Sequence, residues 1–148
     1  MIHHSAMRIF IADDDPDDRL LIRDALTESC DSLDLSFFEN GSAMMSGLVS
    51  ASALGTLPQL ILLDLNMPGM NGRDVITAVK ADPSLRAIPV VVLTTSRDEQ
   101  DIATCYDLGA CSYIVKPVSY EELLEMTRTL TRYWTKTTVL PGQSEPYV

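Results

Sequence analysis

The chain has 148 residues, 46% of them apolar and 22% charged, and carries 21 acidic against 11 basic side chains for a formal charge of −10. That length suits one domain with enough interior to fold without staples, and the composition argues against long disorder and against a disulfide scaffold. An acidic surface with no basic block repels nucleic-acid phosphates and anionic lipid, and no apolar run is long enough to span a bilayer, so neither nucleic acid nor membrane is an expected partner.

Apolar runs alternate with amphipathic ones along the chain. Residues 8–12 read as a short strand. Residues 16–28 carry Leu20, Leu21, Ala25 and Leu26 at helical spacing, with Pro16 suited to a first turn and Asp15, Asp17 and Asp18 suited to the positive helix end. Residues 33–38 read as a second strand, Asn40-Gly41 as a turn, and Ser42 as the cap of a helix to about Val49, with 50–56 as a loop. Pro58 precedes Leu60-Ile61-Leu62-Leu63, a continuous apolar run of the kind that suits a strand buried on both faces. A helix over 71–80 follows, then a second buried strand over 88–93 that ends at Thr94. Residues 98–108 read as a helix stopped by Gly109, and 112–115 as a fifth strand. Ser119 and Glu122 have the spacing of a capping box for a last helix to about Trp134, and the remainder reads as a tail.

Five strands alternating with five helices predict an α/β domain with a parallel sheet. Ligands of such sheets sit beyond the carboxyl ends of the strands. Asp13-Asp14-Asp15 end the first strand, Asp64 the third, Thr94-Thr95-Ser96 the fourth and Lys116-Pro117 the fifth. Asp13, Asp14 and Asp64 cannot crowd together ionised without a counter-charge. Oxygen ligands alone favour Mg²⁺, with Mn²⁺ as an alternative, and Lys116 and Thr94 suit phosphate oxygens. A carboxylate held in such a pocket can be the nucleophile of phosphoryl transfer, and Asp64, ending the central strand, is the natural candidate. An acid-rich helix start accounts for Asp17 and Asp18, but not for Asp64, Thr94 and Lys116. The odd cysteine set Cys30, Cys105 and Cys111 has no CxxC spacing, and the N-terminus has no export signal, which together predict reduced thiols in the cytoplasm. His3 and His4 lie far from any cysteine and read as a frayed lead rather than a metal site; Met7 is an alternative start.

Asp13-Asp14, Asp64 through Gly72, Leu93 through Ser96, Tyr113 and Lys116-Pro117 resemble the receiver domain of bacterial two-component response regulators. The resemblance assigns a receiver domain to 7–132, with an N-terminal lead at 1–6 and a C-terminal extension at 133–148. It implies a flavodoxin-like five-stranded parallel sheet, order 2-1-3-4-5. By the same resemblance Asp64 is the phospho-acceptor, Asp13 and Asp14 are cation ligands, and the backbone carbonyl of Asn66 completes the protein's ligand set. Thr94 is the switch hydroxyl, Lys116 pairs with the phosphoryl group, Tyr113 turns inward on activation, and Pro117 follows a bond often cis. Bland readings exist beside these: Thr94 as a cap, Tyr113 as a strand aromatic packed on the fourth helix, Lys116 as a surface lysine.

Residues 91–96, Tyr133-Trp134 and Val139-Leu140-Pro141 resemble the subfamily partnered with phytochrome histidine kinases. That implies a sensor histidine kinase as partner, a bacteriophytochrome in this subfamily, and a homodimer through the fourth helix, fifth strand, fifth helix and C-terminal arm. Trp134 reads equally well as covering its own core. The chain after Val115 is too short for a DNA-binding output domain, so output is expected through protein contact, dimerisation or phosphorelay, the chemotaxis-type diffusible receiver being an alternative. The protein is expected not to be an enzyme beyond cation-dependent self-phosphorylation and slow autodephosphorylation. A haloacid dehalogenase-type phosphatase shares the residue types but wants an aspartate where Asn66 stands, and a flavodoxin-type phosphate loop would not carry three aspartates.

Overall fold

The structure, a computed structural model, describes residues 6–143, 145 and 146, so the N-terminal histidines lie outside the described residues. Its elements in chain order are β1 (Met7–Ala12), α1 (Pro16–Ser29), β2 (Leu33–Phe38), α2 (Gly41–Leu54), β3 (Leu60–Leu63), α3 (Gly72–Ala81), β4 (Val90–Thr94), α4 (Glu99–Leu108), β5 (Ser112–Val115) and α5 (Tyr120–Arg132), closed by a π-helical turn, Tyr133–Thr137. The five strands form one parallel sheet in the order β2-β1-β3-β4-β5. This is the doubly wound arrangement that the strand–helix alternation predicts.

The continuous apolar runs follow from burial on both faces. Phe10, Ile61, Leu63, Val90 and Val92 point to one side, against Met44 and Leu48 of α2, Val75, Ile76 and Val79 of α3, and Cys105 of α4. Met7, Ile9, Ile11, Leu60, Leu62, Val91 and Leu93 point to the other, against Ile22 and Leu26 of α1 and Leu130 of α5. Every residue of β3 and β4 is buried, whereas β2 and β5, the two edges, are only partly covered. A hydroxyl seam joins α1 to α5: Thr127 Oγ1 donates to the Ala25 carbonyl at 3.2 Å and lies 2.7 Å from Ser29 Oγ. No helix of the described residues is long and apolar enough to cross a membrane.

Three local expectations are corrected. Helix α2 begins at Gly41 under an Asn40 cap, not at Ser42, and runs through 50–54 to Leu54. Its last turns expose Val49 and Leu54, so they show no apolar periodicity, yet alanine-rich chain stays helical until Gly55 takes up φ 71°. The reciprocal capping box is at Asn71 and Asp74 of α3, while at α5 only the half running from Glu122 N–H to Ser119 Oγ forms. The bond before Pro117 is trans, as is every described peptide bond, so the cis form implied by the resemblance is not found. The tail is also more ordered than its composition suggests: Leu140 is buried beside Met7, Ile9 and Leu60.

Candidate functional site

The last rungs of the sheet carry the acidic residues. Asp13 N–H donates to the Phe38 carbonyl at 3.1 Å, and Asp64 N–H to the Ala12 carbonyl at 3.0 Å. Both carboxylates are thereby fixed by backbone hydrogen bonds at the carboxyl edge of the sheet. Carboxylate oxygens of Asp13, Asp14 and Asp64 lie within 4.8 Å of one another; Asp13 and Asp64 are buried and Asp14 faces solvent. Burial pushes the Asp13 carboxyl above the ordinary aspartate range, against the pull of Lys116 and of the Asp15 N–H.

Lys116 provides the counter-charge. Its backbone N–H donates to the Thr94 carbonyl at 2.7 Å, tying the ends of β4 and β5 together. Its Nζ lies 2.7 Å from Asp13 Oδ2, 2.8 Å from Asp18 Oδ2 and 3.2 Å from Asp64 Oδ2. Burial disfavours the ammonium, but pairing with Asp13 and Asp18 and the nearby Asp64 charge outweigh it and raise its pKa, so the group is fully charged. The bland reading of Lys116 as a surface lysine is therefore excluded, and the reading of Asp18 as only an acidic helix start is corrected: its carboxylate reaches into the pocket.

The loop after Asp64 is held from below. Leu65 and Met67 are buried, while Asn66 between them is exposed and donates its N–H to Asp64 Oδ1 at 3.4 Å. Gly72 N–H donates to the Leu65 carbonyl at 3.0 Å, and a Cβ at Gly72 would stand 2.4 Å from the Asp64 carbonyl oxygen. Only glycine lets α3 start this close to the strand end. The β1–α1 loop is secured by Arg19, whose guanidinium donates to the Asp13 carbonyl at 2.7 Å, and by the Asp15 cap, which accepts from Asp17 and Asp18 N–H.

Thr94 ends β4 fully buried, and its Oγ1 has no hydrogen-bond partner among the described residues, which removes the reading of it as a cap. Asp13 Oδ2, by contrast, is paired with the Lys116 ammonium at 2.7 Å. Beyond Thr94 the chain is braced through Ser96 by two side chains that the sequence did not single out, Asp101 and Arg73. Ser96 Oγ donates to Asp101 Oδ2 at 2.6 Å, and Arg73 of α3 pairs with the other oxygen of the same carboxylate. These partners hold the Asp101 carboxyl below its ordinary range, the Ser96 hydroxyl contributing most. The Tyr113 hydroxyl donates to the Ser96 carbonyl at 2.9 Å, and its ring packs against the apolar cluster on the α2–α3–α4 face of the sheet. Tyr113 is thus turned toward the β4–α4 loop, while its backbone N–H donates to the Tyr106 hydroxyl of α4 at 3.2 Å.

Asp13, Asp14, Asp64 and Lys116 therefore converge, Thr94 lies at the same sheet edge, and Tyr113 stands one step removed through Ser96. The donor set fits a hard divalent cation: all its side-chain ligands are carboxylates, and their oxygens already lie within 4.8 Å of one another.

The family model described as the response regulator receiver domain matches residues 9–128. Response regulator Rcp1 of Synechocystis is 35% identical over 136 residues, covering 90% of this chain and 92% of the relative. A crystal structure of the phosphorylated cyanobacterial phytochrome response regulator RcpA superposes with a TM-score of 0.87 at 36% identity, over 93% of this chain and 100% of that one. The Mn²⁺-bound form of Rcp1 gives a TM-score of 0.81 at 33% identity, over 92% of this chain and 99% of that one.

Proposed function

The chain belongs to the response regulator receiver family, and from that premise we propose that Asp64 accepts a phosphoryl group from a histidine kinase in a step that needs a divalent cation. The observation that carries this reading is the convergence of the Asp13, Asp14 and Asp64 carboxylates on one sheet edge, with the buried Thr94 Oγ1, which has no hydrogen-bond partner among the described residues, at the end of the neighbouring strand β4. A buried hydroxyl left unpaired costs free energy unless a ligand satisfies it, and Thr94 Oγ1 is of the type that a phosphoryl oxygen would satisfy, while the three carboxylates suit a divalent cation.

In the reaction an Asp64 carboxylate oxygen attacks phosphorus. A P–O bond forms as the P–N bond of the kinase phosphohistidine breaks, and the imidazole leaves with the electron pair. Mg²⁺, or Mn²⁺ in its place, would be held by Asp13, Asp14, Asp64 and the Asn66 carbonyl, and supplies the positive charge that lets a carboxylate approach an anionic phosphoryl group. Lys116, already charged and within 3.2 Å of Asp64, pairs with the oxygen anions of the product. The Thr94 hydroxyl donates to a phosphoryl oxygen. Ser96 and Tyr113 pass the resulting shift of the β4–α4 loop to α4 and β5, so the α4–β5–α5 surface is the switched output.

The kinase is of phytochrome type in this reading, supported by the likeness to Rcp1 and RcpA, and the exchange takes place in the cytoplasm. A homodimer through α4–β5–α5 and the C-terminal segment is supported by the groove that Ile114, Met126, Leu130, Tyr133 and Trp134 form beside edge strand β5. The protein acts as a phosphorylated signal carrier rather than as an enzyme.

The test is incubation with acetyl phosphate and Mg²⁺, followed by intact mass measurement. One acid-stable, base-labile phosphoryl adduct is expected for the native chain and none for Asp64→Asn or in EDTA. An undiminished adduct on Asp64→Asn overturns the assignment. Light scattering with and without beryllofluoride then reads the oligomeric state; a monomer in both overturns the dimer.

A further inference from the structure

An ammonium has three N–H donors, and Lys116 meets three carboxylates. Two of them, Asp13 and Asp64, belong to the triad that would bind the cation. The third, Asp18, does not: it lies in the first turn of α1, a third exposed, with its Oδ2 2.8 Å from Nζ. Its backbone is held by the Asp15 cap and its neighbour Arg19 is tied to the Asp13 carbonyl, so the carboxylate is presented rather than merely near. We propose that Asp18 is a positioning residue for Lys116: it holds the ammonium on the α1 side of the pocket and so frees Asp13 and Asp64 for a divalent cation. The inference rests on the cation-site reading above and adds a residue to it.

The physical reason is competition. Without a divalent cation, Lys116 is the resident cation of Asp13 and Asp64. An incoming ion that takes those two carboxylates strips the ammonium of two of its three contacts. The Lys116 side chain is only 11% exposed, and an ammonium left buried and unpaired is costly. Asp18 is the partner it retains. With Asp18 neutral, the ammonium keeps its grip on Asp13 and Asp64, and the divalent ion binds less well. The same retained contact leaves Lys116 beside Asp64, where a phosphoryl oxygen would arrive.

The rival explanation is that Asp18 merely adds a negative charge to the pocket. A double-mutant cycle separates the two. Mn²⁺ binding is measured by the electron paramagnetic resonance signal of the free ion, on the native chain, Asp18→Asn, Lys116→Ala and the double variant. If Asp18 acts through Lys116, Asp18→Asn weakens Mn²⁺ binding about fivefold more when Lys116 is present than when it is alanine. Equal weakening in both backgrounds, or none with Lys116 present, overturns the proposal. Lys116→Met, which keeps the aliphatic stem, serves as a second background and must give the same coupling. Asp14→Asn and Asp64→Asn guard the premise. If neither reduces Mn²⁺ binding, the cation site itself is wrong. If both do, equal Asp18→Asn effects count against Asp18 alone.

Discussion

Replacing Lys116 by alanine removes the only cation that contacts both Asp13 and Asp64 among the described residues. The carboxylate oxygens left behind lie within 4.8 Å of one another, and at an effective dielectric constant of about 20 two such charges repel by at least about 3.5 kcal/mol. Breaking a buried ion pair from one side costs about 3–5 kcal/mol by mutation, which agrees with that figure. For a chain of 148 residues this corresponds to a fall in Tm of roughly 10–15 °C in EDTA at neutral pH. Two remedies should shrink the deficit. Mn²⁺ at a hundred times its Kd returns about 2.7 kcal/mol by mass action to any variant that binds it. The variant should need less Mn²⁺ to reach that point, because no ammonium competes. Acid is the second remedy. Burial raises the Asp13 carboxyl, and loss of Lys116 raises it further, so this group contributes stability below its unfolded pKa that is lost as pH rises through its folded value. The gap between variant and native chain is therefore widest at neutral pH and narrows as pH falls into the carboxylate range. The assay is thermal unfolding by circular dichroism across pH, in EDTA and in Mn²⁺. Equal Tm values in EDTA at neutral pH, or equal Mn²⁺ stabilisation at matched concentration, would refute the reasoning.

Three further outcomes are expected. Gly72→Ala drives a Cβ to 2.4 Å from the Asp64 carbonyl oxygen and 2.8 Å from Leu65 Cα, both backbone, so it should destabilise by about 2–3 kcal/mol; an unchanged urea midpoint would show that α3 can move away at no cost. Leu140→Ala removes a side chain 5% exposed against Met7 and Ile9 and should cost about 2 kcal/mol, at the low end of such truncations because the segment is near a terminus; hydrogen exchange at β1 should speed up accordingly. Asp101→Asn should loosen the β4–α4 loop, read as faster amide exchange from Ser96 to Asp98. Since the Asp101 carboxyl is held low, its contribution is present above the ordinary carboxylate range and lost as pH falls through its folded pKa, so native chain and variant should converge in acid; a difference that persists there would place the effect elsewhere.

The parts of the fold that were legible are those where burial on two faces writes itself into composition. Leu60-Ile61-Leu62-Leu63 and the run before Thr94 could only be interior strands, and once the sheet is parallel their ends must share an edge. The end of α2 was illegible for the opposite reason. Past Leu48 its inward position is the small Ala51 while Val49 and Leu54 face solvent, so no apolar period marks the last turn, and only Gly55 records where the helix stops. The capping box moved for a related reason: Ser119-x-x-Glu122 and Asn71-x-x-Asp74 both have the spacing, and side-chain reach after folding decides which closes. The Val139-Leu140 pair gave a resemblance but no burial signal, because two apolar residues in a proline- and glycine-containing tail are equally compatible with solvent; the structure buries Leu140 and leaves Val139 exposed.

The site divides along the same line. Asp13, Asp14, Asp64, Thr94 and Lys116 end strands, so topology alone brings them to one place. Asp18, Arg73 and Asp101 lie within helices, and reach the pocket or its brace only because of how α1, α3 and α4 are turned about their axes. Asp17 and Asp18 are adjacent and chemically identical, and the helix-dipole argument serves both. One step of about 100° around α1 separates them, and that rotation sends Asp17 to solvent and Asp18 to the Lys116 ammonium. The rotation is set by Ile22, Ala25 and Leu26 seeking the sheet. The charge that meets Lys116 is thus chosen by the hydrophobic face of α1, four residues and more away. A substitution on that face, such as Ala25 to a larger residue, should disturb the Lys116–Asp18 contact without touching either residue.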